Sequence, residues 1–127
     1  MARRLVYVID DDPDMLRSTA YLLEAIGHGV ECFDDGDTFL AALASLQPGC
    51  ILTDLRMPRV NGYELKAALD ERSVGWPVIL MTSENGSETS GRAAARGFSG
   101  YLRKPFTADQ LVAALDRGFA ALGESRP

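Results

Sequence analysis

A chain of 127 residues, 46% hydrophobic and 24% charged, has the make-up of one globular domain, long enough to bury a core without staples. Eighteen Asp and Glu against thirteen Lys and Arg leave a net charge of −5, which argues against a domain that grips nucleic-acid phosphates. Cys32 and Cys50 are too few and too isolated for a disulfide framework or a metal knuckle. No apolar run nears the roughly 20 residues that span a bilayer, and no signal peptide is visible, so we expect a cytoplasmic location without membrane contact.

The first apolar run, Leu5–Ile9, reads as a strand and ends on Asp10-Asp11-Asp12. Asp12 and Pro13 form an N-cap and first-turn pair for a helix carrying Met15, Leu16, Leu22, Leu23 and Ile26, which Gly27 and Gly29 close. His28, inside that closing turn, is expected at the surface. Val30–Phe33 is the second strand, and Asp34-Asp35-Gly36-Asp37 after it reads as a solvated acidic turn. Leu40, Leu43 and Leu46 mark a second helical face, stopped by Pro48-Gly49. Cys50–Leu52 begins a third strand that runs through Thr53 into Asp54. Asn61 and Glu64 have capping-box spacing in front of Leu65, Ala68 and Leu69. Trp76 sits at the amino end of a fourth strand, Val78–Met81, which runs into Thr82-Ser83. Gly86–Gly97 holds three glycines and almost no large apolar residue, so the fourth helix is expected to be the loosest element. The short run Gly100–Leu102 continues through Arg103 to Lys104, and Thr107 with Gln110 caps a last amphipathic helix through Leu122. Cys32 and Cys50, on strands separated by the first, are expected as core packing rather than a disulfide.

Apolar runs alternating with amphipathic stretches predict five βα units, hence an α/β doubly wound, five-stranded parallel sheet flanked by five helices. In such a sheet ligands bind beyond the carboxyl ends of the strands. There the chain places a carboxylate cluster, the hydroxyls of Thr82 and Ser83, and Lys104, one of its two lysines. Two like charges about 4 Å apart repel by roughly 1 kcal/mol in water and about 4 at an effective dielectric near 20. Asp10, Asp11 and Asp54 together therefore require a cation, and Lys104 and a hard oxygen-seeking ion such as Mg²⁺ are the two candidates. A carboxylate beside Mg²⁺, a lysine and a hydroxyl can carry out phosphoryl transfer, although this chemistry alone does not choose the nucleophile among the aspartates.

Four motifs in order, Val8-Ile9-Asp10-Asp11-Asp12, Thr53-Asp54-Leu55-Arg56-Met57-Pro58 with Gly62, Met81-Thr82 and Lys104-Pro105-Phe106, resemble the receiver domain of two-component response regulators. The segment from Thr53 to Leu65 looks most like receivers attached to LuxR-class, nitrogen-fixation-type DNA-binding domains. The resemblance implies a flavodoxin-like (βα)5 sandwich of strand order 2-1-3-4-5, with residues 1–122 as the receiver and 123–127 as a tail or the start of a linker. It implies Asp54 as phosphoacceptor, with Mg²⁺ ligated by Asp11, Asp54 and the backbone carbonyl of Arg56, and by Asp10 partly through water. Thr82 and Lys104 would contact the phosphoryl group, Tyr101 would be the switch aromatic, and Lys104-Pro105 would be cis. The implied partners are a sensor histidine kinase or phosphotransfer protein as donor, an output protein or a missing effector domain, and a second copy through the fourth-helix/fifth-strand face. The scarcity of apolar residues near Gly91 departs from the family on that face. Arg56 and Glu84, flanking the acceptor and Thr82, either pair across the mouth and slow hydrolysis or stand apart in solvent, an exposed pair being worth only about 0–1 kcal/mol. On this reading the domain assists its own phosphorylation and dephosphorylation and is not otherwise an enzyme.

A haloacid-dehalogenase-like phosphatase is the rival. Asp10 would be its nucleophile, Asp12 its acid, and Thr82 and Lys104 its later motifs. It lacks the late acidic strand that family needs, and it leaves the Asp54 motif unused. An EF-hand fails on Met15 and Tyr21, which stand where Gly and Glu are required.

Overall fold

The five apolar runs form strands in the computed structural model, which describes residues 4–83 and 87–122. They are β1 (Leu5–Ile9), β2 (Gly29–Phe33), β3 (Cys50–Asp54), β4 (Val78–Thr82) and β5 (Gly100–Arg103). All pair in parallel, in the order β2-β1-β3-β4-β5, so the predicted sheet and strand order hold. Every residue of β3 and β4 is buried, as the continuous apolar runs require of central strands covered on both faces.

Two helical layers supply that cover. Helices α1 (Pro13–Ala25) and α5 (Ala108–Ala121) lie on one face, where Leu23, Leu111, Ala114, Leu115 and Phe119 pack on Val6, Val8, Leu52 and Ile79. Helices α2 (Gly36–Ala42), α3 (Gly62–Glu71) and α4 (Ser87–Ala95) cover the other, where Phe39, Leu65, Leu69 and Ala93 meet Ile9, Ile51 and Leu80. The caps form as the spacing predicts. The Asp12 carboxylate accepts from the Asp14 and Met15 backbone N–H groups at 3.0 and 3.4 Å, and complete capping boxes join Asn61 to Glu64 and Thr107 to Gln110.

Three smaller expectations change. Helix α2 stops at Ala42 and a 3₁₀ turn, Leu43–Ser45, continues the face that carries Leu43. Cys32 is exposed together with Glu31 on β2, an edge strand, whereas Cys50 is fully buried with its thiol pushed up to about 12 by burial. His28 is half-buried, stacked on Phe119 with ring centres 5.7 Å apart, instead of standing at the surface. Trp76 stacks on Tyr7 at the amino end of β4, as placed. Among the described residues, no helix is long and apolar enough to cross a membrane. Glu84 and residues 123–127 lie outside the described residues, and with them the Arg56–Glu84 pairing and the tail.

Candidate functional site

Three side chains from three strand ends converge at the carboxyl end of the sheet. β1 delivers Asp10, whose backbone N–H donates to the Phe33 carbonyl at 3.1 Å and so keeps the residue in register past the strand. β3 delivers Asp54, paired in register with Met81, and Leu55 N–H donates to the Met81 carbonyl at 2.9 Å. β5 delivers Lys104, whose N–H donates to the Thr82 carbonyl at 2.8 Å. These backbone bonds set the side chains side by side before any ligand arrives.

Asp10 is fully buried, and each of its carboxylate oxygens has a donor. Oδ1 accepts from the Asp12 N–H at 3.0 Å and Oδ2 accepts from Lys104 Nζ at 2.9 Å. Lys104 Nζ also reaches Asp54 Oδ1 at 3.2 Å, so one ammonium bridges two carboxylates. Burial raises the Asp54 pKa above the ordinary carboxylate value, with Lys104 pulling against it and Asp10 adding to it. Burial also disfavours the Lys104 charge, but the bond to Asp10 and the charges of both aspartates outweigh it and hold the ammonium above its usual pKa.

Asp10, Asp11 and Asp54 can each present a carboxylate oxygen with all three atoms within 4.8 Å of one another. Asp11 is exposed and forms the mouth, while the Asp54 side chain is 13% exposed beneath it. One ammonium against three carboxylates leaves net negative charge in an all-oxygen donor set, which suits a hard divalent cation such as Mg²⁺. The cation compensation expected from the sequence is thus partly met by Lys104, and the remainder fits a metal.

The other sequence-selected residues are placed less closely. Thr82 is buried at the end of β4, in register with Arg103, one residue from Lys104. Arg56 is exposed in the loop after β3. Tyr101 lies earlier on β5, half-buried beside Leu80 and outside the carboxylate cluster. Asp12 caps α1 instead of facing the cluster as an acid would, which removes the geometric basis of the phosphatase reading. The Lys104-Pro105 bond is cis, as the resemblance implies.

Sequence reasoning missed Arg59, in the loop that follows Asp54, which bonds Asp37 at 3.0 Å and pairs with Asp35 at 3.3 Å. The acidic turn read as solvated loop is therefore partly neutralised. No local pattern announces a pair separated by more than twenty residues.

Comparison with known proteins points the same way as the geometry. A family model described as the response regulator receiver domain matches residues 6–116. The transcriptional regulatory protein FixJ of Bradyrhizobium diazoefficiens is 36% identical over 122 residues, covering 96% of this chain and 58% of that protein. The DNA-binding transcriptional regulator NtrC of Salmonella typhimurium is 36% identical over 130 aligned residues, covering 99% of this chain and 27% of that protein. The crystal structure of FixJ-N superposes with a TM-score of 0.87 at 27% identity, each chain fully covered. Full-length FixJ from B. japonicum superposes at 0.86 and 35% identity, covering all of this chain and 61% of that one. The chain thus spans between about a quarter and three-fifths of the curated relatives named here.

Proposed function

Because this chain belongs to the response regulator receiver family, we propose that it is a phosphorylation-dependent signalling switch with Asp54 as its phosphoacceptor. The observation that carries the choice of residue is the Lys104 bridge. Asp10 is fully buried with both oxygens engaged, whereas Asp54 shares the same lysine yet keeps a window to solvent through which a donor can reach it.

A histidine kinase or phosphotransfer protein would present a phosphohistidine. An Asp54 oxygen attacks the phosphorus in line, the phosphorus–nitrogen bond breaks, and the imidazole leaves with its electron pair. Lys104, already 3.2 Å from Asp54, moves its charge onto the incoming oxygens, and the Thr82 hydroxyl donates to another. Asp10, Asp11, Asp54 and the Arg56 carbonyl are the residues that would hold Mg²⁺, which supplies charge neutralisation for the phosphoryl oxygens when bound. Drawing Thr82 toward the phosphate biases β4 and α4, and Tyr101 on β5 reports that shift to the outer face. We place the output contact there, with an effector domain or separate protein and with a second copy through α4 and β5. The domain assists its own phosphorylation and dephosphorylation, and we assign it to the cytoplasm. Residues 1–122 form the working unit on this reading, with 123–127 leading out of it.

The test is intact mass after incubation with acetyl phosphate, with and without Mg²⁺. Wild type is expected to gain one phosphoryl group only with Mg²⁺, and Asp54→Ala none. Labelling that survives Asp54→Ala and disappears in Asp10→Ala would instead support the phosphatase.

A further inference from the structure

The loop that leaves Asp54 is pinned at its base by backbone bonds. Leu55 N–H donates to the Met81 carbonyl at 2.9 Å, and Gly62 N–H returns to the Leu55 carbonyl at 2.9 Å. At its tip Val60 N–H donates to the Pro58 carbonyl at 2.7 Å across Arg59, whose φ is 66°. A three-residue turn around a positive-φ centre is the strained form of the γ-turn, and a residue with a Cβ holds it only where its surroundings insist.

The surroundings here are the acidic turn between β2 and α2. Arg59 Nε lies 3.0 Å from Asp37 Oδ2, and a terminal nitrogen of the same guanidinium lies 3.3 Å from Asp35 Oδ2. Asp35 is itself anchored as the N-cap of α2, accepting from Thr38 N–H at 2.7 Å. The two loops also meet through apolar atoms, since a Cβ on Gly36 would stand 2.9 Å from Val60 Cγ1. Arg59 and Val60 thus seat the Asp54 loop on the acidic turn by charge and by contact.

We propose that Arg59 is a positioning residue for the cation site: by gripping Asp35 and Asp37 it holds the strained turn and keeps the Arg56 backbone presented to the carboxylates. Cation affinity then depends on the β2–α2 turn. This rests on the Mg²⁺-dependent reading of the site given above. Charge alone argues in the opposite direction. Arg59 is a cation in the loop that leaves Asp54, so deleting it would tighten binding of another cation if electrostatics were its only effect.

The experiment is calorimetric titration of Mg²⁺ into the unphosphorylated 127-residue chain, beside thermal unfolding of each variant. Arg59→Ala is expected to bind Mg²⁺ roughly tenfold more weakly, the low end of what losing an outer support costs a metal site. Arg59→Gly, which takes a positive φ without strain, is expected to recover part of that loss. Gly36→Ala pushes Val60 outward with no change of charge and is expected to weaken binding in the same direction. Asp35→Asn with Asp37→Asn keeps the helix cap and is expected to weaken it too. A purely structural role would lower the melting temperature and leave affinity alone. Arg59→Ala binding as tightly as wild type, or more tightly, overturns the proposal. Should Arg59→Ala fail to fold, Gly36→Ala decides by the same criterion. Failure of the underlying reading looks different: wild type would bind no Mg²⁺, or bind it unchanged after Asp11→Asn, and both inferences would fall.

Discussion

Asp10 has no exposed surface, and a buried polar group is costly unless its hydrogen bonds are made. Lys104 is the partner that matters most, because it answers Asp10 and Asp54 at once. Removing one member of a buried pair leaves the other uncompensated, so Lys104→Met is expected to lower folding stability by about 3 kcal/mol in chelator. Added Mg²⁺ should return part of that loss, since it places positive charge in the same pocket. Urea denaturation with and without Mg²⁺ checks both effects, and equal midpoints for the variant in the two buffers would contradict the shared-pocket account. These residues were legible because each stands at a strand's carboxyl end, where topology alone brings them together. Arg59 was not legible, since neither its positive φ nor its pairing with Asp35 and Asp37 leaves a local trace.

Helices α3 and α4 differ in how tightly they are tied to the sheet, and glycines show it. A Cβ on Gly62, at the start of α3, would lie 2.8 Å from Leu80 Cδ1 and 2.9 Å from the Asp54 carbonyl oxygen. Gly62→Ala is therefore expected to cost about 1–3 kcal/mol and to disturb the acceptor's backbone. A Cβ on Gly91, within α4, would meet nothing within 4 Å. Gly91→Ala is expected to stabilise by about 0.5–1 kcal/mol, because Ala loses less backbone freedom in a helix. Denaturant midpoints of opposite sign for the two variants are the expected result, and a destabilised Gly91→Ala would contradict the reading of α4 as a loosely held helix. Strand positions and helix caps were readable because burial on both faces, and the geometry of Asn61 with Glu64, leave marks at short range. The exposure of Cys32 is signalled only by Glu31, the one charged residue inside β2, because strand order decides which strand lies at the edge.

The end of the sheet opposite the carboxylates is closed by a polar-aromatic stack. His28 lies against Phe119 with ring centres 5.7 Å apart, Arg4 sits 4.9 Å from the same ring, and Arg4 pairs with Asp116 at 3.5 Å. This joins the α1–β2 turn to α5. Burial, and then the Arg4 charge, hold the His28 pKa below its ordinary value, against its bond to the Arg4 backbone and the pull of Asp116. The folded state therefore resists a proton that the unfolded chain accepts. The contribution to stability is full above an unfolded value of about 6.5 and is lost as pH falls through the depressed folded value. His28→Gln is expected to reduce the drop in urea midpoint between pH 7.5 and 5.5, and an unchanged drop would assign the pH dependence elsewhere.

On the proposed function, chemistry at Asp54 moves the face carrying Tyr101. The most direct measurement is a map of backbone amide chemical shifts before and after acetyl phosphate and Mg²⁺, on wild type and Asp54→Ala. The expected result is a set of changes running from Asp54 through Thr82 to Tyr101 and α4 in wild type, and none of it in the variant. Changes confined to the carboxylate pocket, or the same changes in Asp54→Ala, would contradict it.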